Sequence, residues 1–271
     1  MMLIDTHCHL DAAEFDADRD DVVKQSLDAG VSGIVLPAVA SQNFDAVIQL
    51  SEHYKCCTFA LGIHPMYVES ALDSDLKILE SYLASHQPVA IGEIGLDYYV
   101  YSPRTYPQHI ARQQRFFEAQ LKLAVAHHLP VLLHVRAAID DVLKYLRRHP
   151  VVGGIAHAFN GSFQQAEQFI DLGFKLGIGG AMTYSRATKL RSLTEKLPLE
   201  AIVLETDAPD IPPSWLGKQG RNCPAEIVKI AQVIADLRRI KYAEVVEITG
   251  ANALKVMPKL AELCTPVKVP L

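Results

Sequence analysis

A chain of 271 residues, 49% hydrophobic and 21% charged, has an ordinary globular composition, with room for one large α/β domain or two small ones. Its formal net charge of −5 excludes a protein that coats duplex DNA with its whole surface, which would be basic. Any nucleic-acid contact is therefore expected to be local, at a metal site or a small basic patch.

In chain order, apolar runs alternate with amphipathic stretches from end to end. Strand-like runs cover 2–7, 31–38, 58–64, 89–96, 130–135, 153–158, 174–180 and 201–206. Most are rich in Val, Ile and Leu without strict alternation, the pattern of parallel strands buried on both faces. The first run leads into Asp5-Thr6-His7-Cys8-His9. Side chains on a strand alternate faces, so His7 and His9 point the same way, with Asp5, while Cys8 points away. Two imidazoles aimed at one point beside a carboxylate are a metal-ligand arrangement.

Helical patterns fill the intervals. The first covers 20–29 and stops at Gly30, a C-cap. Others cover 43–54, 75–85, 110–127, 140–149, 162–172 and 187–197, and two more at 225–238 and 242–257 follow the last strand. Eight strand–helix units in this length predict an α/β fold, a (β/α)8 TIM barrel over 1–271 as a single domain. The alternative is a doubly wound open sheet. The aromatic, Pro-containing loop 98–108 follows the fourth run and is expected to lie over the active face.

The five cysteines (Cys8, Cys56, Cys57, Cys223 and Cys264) form no C-x-x-C and no even framework, so reduced thiols are expected. No basic segment leads into a long apolar one, and no run approaches ~20 apolar residues, the length that spans a bilayer. A cytoplasmic location is expected, with no membrane and no obligate protein partner.

Of eleven histidines, His7, His9, His64, His134 and His157 lie at or near the ends of apolar runs. Glu93 and Asp207 lie in or at the end of such runs too, where a carboxylate is costly unless paired or metal-bound. In a barrel these strand ends converge on one face. Singly, each residue reads more readily as a paired core group than as a ligand. Together, His7, His9, Glu93, His134, His157 and Asp207 supply too many donors for one tetrahedral ion and suit two ions sharing a bridge. His7, His9 and Asp207 come from the first and last strands, neighbours in a closed barrel, and are expected to hold one ion. His134 and His157 are expected to hold the other, with Glu93 bridging. Mixed N/O donors suit Zn, Mn, Co or Ni, and suit Mg less well.

The motifs along these runs resemble those of one family. Asp5-Thr6-His7-Cys8-His9-Leu10, Gly62-Ile63-His64-Pro65, Gly92-Glu93-Ile94-Gly95-Leu96-Asp97-Tyr98 and Leu133-His134-Val135-Arg136 match, in order, D-x-H-x-H-L, G-x-H-P, G-E-x-G-L-D-Y and L-H-x-R of the TatD family of metal-dependent deoxyribonucleases. Further on, His157-Ala158-Phe159-Asn160-Gly161-Ser162, Leu204-Glu205-Thr206-Asp207-Ala208-Pro209 and Arg221-Asn222-Cys223-Pro224 match its later motifs. Within the family the chain is most similar to the YjjV-like branch. Cys223 stands where relatives often carry Glu, and the loop 98–108 is longer than in many of them. The resemblance implies a TIM barrel, a divalent-metal centre on the same six residues, and phosphodiester hydrolysis, often 3′-to-5′ on DNA or RNA. It also implies substrate contacts at His64 and Arg136.

The expected chemistry is attack of a metal-activated water on phosphorus, with Glu93 as bridge and Asp207 as general base or as ligand only. Arg136 shares a face with His134 and is expected either to grip a phosphate or to pair with a barrel carboxylate. His64 reads as a phosphate contact, a proton donor to the leaving oxygen or a core histidine. Glu205 and Asp5 are expected to accept hydrogen bonds from the far nitrogens of ligand histidines, and Asp97 to structure the loop after the fourth strand. Tyr98, Tyr99 and Tyr101 suit base stacking or loop packing. Amide or ester hydrolysis, for example of a misacylated tRNA, is the competing enzyme reading, and a non-catalytic metal-binding protein the other.

Overall fold

In the computed structural model, which describes residues 2–262, the eight apolar runs become eight parallel strands. These are β1 (Leu3–Asp5), β2 (Val31–Pro37), β3 (Cys57–Leu61), β4 (Ala90–Asp97), β5 (Val131–Arg136), β6 (Gly154–Ala156), β7 (Phe174–Ile178) and β8 (Ile202–Leu204). Each pairs with the next in chain order. Parallel neighbours need a crossover, and a helix supplies it in most cases. The helices are α1 (Arg19–Asp28), α2 (Phe44–His53), α3 (Asp73–Ser85), α4 (Pro107–His127), α5 (Ile139–Arg148), α6 (Phe163–Asp171) and α7 (Thr188–Lys196), with α8 (Ile227–Arg238) and α9 (Tyr242–Val256) after β8. The fold is the (β/α)8 barrel, not the open doubly wound sheet.

Burial on both strand faces explains the unbroken apolar runs. Inward-facing Ile4, Val35, Ala60, Ala90, Leu132, Ile155 and Val203 form one cluster, and Ala253, Val256 and Met257 close it from below. A larger cluster joins the outer strand faces to the helices. The barrel interior is thus filled with side chains, and the open end is the C-terminal one.

The barrel closes between β1 and β8 through a seam instead of a regular ladder. Thr6 N–H donates to Leu204 O at 3.0 Å, Asp207 N–H to His7 O at 2.8 Å, and His9 N–H to Ala208 O at 2.8 Å. The Asp5 carboxylate accepts from Thr206 N–H at 2.9 Å and from the Thr206 hydroxyl at 2.5 Å. Burial pushes its carboxyl up to about 7. Asp5 therefore does not orient a ligand histidine, as expected from its parity with His7; it ties the first strand to the last. The first strand is also shorter than the run 2–7. Beyond Asp5 the chain bonds alternately to β2 (Cys8 N–H to Val35 O) and to the segment after β8. Cys8, Cys56, Cys57 and Cys223 are unbridged, and Cys264 lies outside the described residues.

Candidate metal centre

All eight side chains singled out in the sequence sit at the C-terminal mouth of the barrel. His9, His64, Glu93, His134, Arg136, His157 and Asp207 line one cavity of about 930 Å³, and His7 lies fully buried beneath them. Arg136 is the sole Lys or Arg in that lining; Asp11, Glu14, Glu205 and Asp210 add four carboxylates to those of Glu93 and Asp207.

Four donor atoms come together between β1, β4 and β8. His7 Nε2 and His9 Nε2 are 3.3 Å apart. Glu93 Oε2 lies 3.1 Å from the first and 3.5 Å from the second. Asp207 Oδ1 lies 3.6 Å from each. Tetrahedral ligands at the usual ~2.0–2.2 Å from an ion stand about 3.3–3.6 Å from one another. The donor set fits a divalent cation on that count. It also fits chemically, because two facing imidazole nitrogens cannot both be satisfied by donating to each other.

Glu93 turns its other oxygen to the opposite wall. Oε1 lies 3.1 Å from His134 Nδ1 and 3.4 Å from His64 Nε2. His134 stands between two carboxylates, with Nδ1 on Glu93 and Nε2 3.0 Å from Asp97 Oδ2. His64 differs: Nδ1 accepts from Met66 N–H at 3.2 Å, which places its proton on Nε2. His64, Glu93 and His134 form a compact cluster in which His64 turns Nε2 to the carboxylate.

The expected pairing of His134 with His157 is not one of the compact clusters among the described residues. His157 instead stacks on His7 with ring centroids 3.7 Å apart, and its Nε2 lies 3.5 Å from Asp207 Oδ1. Its Nδ1 is 3.1 Å from Glu205 Oε1, close but off the line of an aligned hydrogen bond; that oxygen accepts from Ala158 N–H at 2.6 Å. Glu205 thus faces a strand-end histidine as its parity predicts.

The electrostatics follow from burial against paired charge. Burial opposes ionisation of Glu93, but the His64 and His7 imidazoles and the His134 hydrogen bond outweigh it and hold the carboxyl well below its usual range. For Asp207 burial is likewise outweighed, by His157 first and then His7 and His9. Both groups are carboxylates at neutral pH. Burial drives the His7 and His64 imidazoles towards the neutral form.

Backbone geometry aims these groups. Asp207 has φ 58°, in the left-handed region that side chains disfavour, as do Ala137 and Ala158 just beyond Arg136 and His157. Asn222, fully buried, donates to Thr206 O at 2.8 Å and Asp210 O at 3.0 Å and so holds the segment carrying Asp207. Asp97 does more than the loop role read from its position, since it also receives His134. An acidic residue immediately before the fourth loop was the available signal; the β4–β5 register that brings it to His134 was not.

Arg136 pairs with no carboxylate among the described residues. Its guanidinium lies 3.9 Å over the Tyr99 ring. Tyr98 and Tyr101 pack against the helices beside the loop: the Tyr98 hydroxyl donates to Asp141 of α5 at 2.9 Å, and the Tyr101 ring lies 3.6 Å from that of His109 of α4.

The chain is similar to known proteins over nearly its whole length. The family described as TatD related DNase matches residues 4–258. The uncharacterized metal-dependent hydrolase YjjV of Escherichia coli K12 is 41% identical over 248 residues, covering 90% of this chain and 93% of that protein. Human deoxyribonuclease TATDN3 is 35% identical over 274 residues, 96% of each chain. The crystal structure of Escherichia coli YjjV superimposes with a TM-score of 0.88 at 40% identity, covering 94% of this chain and 98% of the other.

Proposed function

Because the chain belongs to the TatD-related DNase family of metal-dependent hydrolases, we propose that it cleaves phosphodiester bonds in single-stranded DNA or RNA, working from the 3′ end, at a centre of two divalent ions. The placement of Glu93 carries this reading: one carboxylate reaches His7 and His9 with one oxygen and His134 with the other. In this proposal His7, His9, Glu93 and Asp207 hold the first ion, and Glu93, His134 and His157 the second. Zn, Mn, Ni, Co and Mg are the candidates.

When bound, the ions supply Lewis acidity, which polarises a phosphoryl oxygen and makes water acidic near neutral pH. The protein's own residues position and move protons. Asp207 is ionised and lies at the meeting point of His7, His9 and His157, placed to take the proton of the attacking water. His64 carries its proton on Nε2, facing the cavity, and donates it to the leaving oxygen. Arg136 is the one Lys or Arg of the lining and receives a phosphate of the chain being cut. A cavity of about 930 Å³ above a filled barrel floor suits a strand end, consistent with local contact by a protein of net charge −5.

The test is hydrolysis of a 5′-labelled single-stranded oligonucleotide with Mn2+, Zn2+ or Mg2+. The parent shortens it stepwise. Glu93→Ala and Asp207→Asn lower kcat by about 100-fold or more, the usual scale for an acid–base or metal-holding group. Unchanged rates in both variants sink the assignment. Turnover of aminoacyl esters or cyclic amides but of no oligonucleotide transfers the site to the competing hydrolase reading.

A further inference from the structure

We infer that Tyr99 is a substrate-positioning residue whose ring holds Arg136 in place for the phosphate next to the scissile one. The substrate in this inference rests on the phosphodiesterase reading above; the arrangement of the two side chains does not.

An exposed arginine is rich in rotamers and, beside carboxylates, readily pairs with one. The cavity offers six carboxylates, yet none takes the Arg136 guanidinium among the described residues. Tyr99 covers its face instead, at 3.9 Å. Stacking engages the face of the guanidinium and leaves the N–H fork at its edge free, which is the edge that receives a phosphate bidentately.

Tyr99 is set apart from its neighbours in the loop. It is 68% exposed, whereas Tyr98 and Tyr101 are tied to Asp141 and His109. Its backbone is nonetheless fixed. Tyr98 N–H donates to Arg136 O at 2.9 Å, and Tyr99 N–H donates to Asp97 Oδ1 at 2.9 Å. The other oxygen of Asp97 meets His134. One carboxylate therefore registers the aromatic ring, and through it the guanidinium, to the donor cluster before any substrate arrives. A cation prepaid in this way improves binding more than the chemical step.

The experiment measures binding and turnover separately. Binding uses the anisotropy of a fluorescein-labelled single-stranded trinucleotide with Ca2+; turnover uses the unlabelled strand with Mn2+. Tyr99→Ala weakens binding and raises KM by about tenfold, with kcat within about twofold of the parent. Tyr99→Phe keeps the π face and restores parent-like binding. Arg136→Ala weakens binding at least as much, and adding Tyr99→Ala to it costs nothing more, because the ring acts through the guanidinium. Tyr99→Ala without effect on binding overturns the inference while leaving the phosphodiesterase reading intact. Losses that multiply in the double variant overturn it too, since the ring would then touch the strand itself. Tyr99-dependent binding without turnover of any strand upholds the positioning role and removes the phosphodiesterase reading.

Discussion

Glu93 is almost fully buried, yet it stays ionised because imidazoles surround it on both sides. A buried carboxylate of that kind is a fixed template for cations, and its neighbours are held in turn. Asp97 receives the far nitrogen of His134, the arrangement by which outer carboxylates orient metal-binding histidines. Asp97→Asn is therefore expected to weaken divalent-metal affinity by about 10- to 100-fold. Competition against a chromophoric chelator reads this, with far-UV circular dichroism unchanged; equal affinities in parent and variant would remove Asp97 from the site. At this scale the residue types were legible and their partners only in part. His7, His9, Glu93 and Asp207 announced themselves because charged or imidazole groups at the ends of apolar runs are costly without a purpose. The tautomer of His64 and the stacking of Arg136 on Tyr99 were not legible, because both depend on contacts between loops that no strand period encodes.

Strand existence and order followed from Val, Ile and Leu runs, and the helices fell within a few residues of their patterns. Strand ends were less visible: β1 stops at Asp5, since His7 and His9 are held by bonds to two different neighbours instead of a ladder. The seam those bonds form makes its own prediction. Thr206→Val removes the hydroxyl donor from the buried Asp5 carboxylate and should cost about 1–3 kcal/mol, the penalty for depriving a buried polar group. At roughly 2–4 °C per kcal/mol, the melting temperature falls by several degrees. A parent-like melting curve would show that the backbone bonds alone close the barrel. Gly95 sets the other critical register, opposite His134. Its φ is 149°, and an added Cβ would stand 1.9 Å from the His134 carbonyl oxygen. Gly95→Ala must push β4 from β5 and displace Glu93 from His134, so both metal affinity and thermal stability drop together.

The molecule as a whole gathers its donors from β1, β4, β5, β6 and β8, so ions bound there brace the entire barrel. A ligand that binds only the folded state at 100 times its Kd contributes about 2.7 kcal/mol. Removing metal with EDTA should accordingly lower the melting temperature, and re-adding Mn2+ or Zn2+ should restore it; Glu93→Ala should be indifferent to both treatments. The closure of β1 against the segment after β8 also has a consequence in time. His7 and Asp207 stand two hundred residues apart in the chain. At a synthesis rate of about 5–20 residues per second, the first histidines wait roughly 10–40 s for their carboxylate partner to be made. Throughout that interval the chain carries His7-Cys8-His9 without the partners that bury them. Burial of the Cys8 thiol under Ala208 ends the exposure at the moment the seam closes, so the last strand covers the first histidines as it completes the barrel.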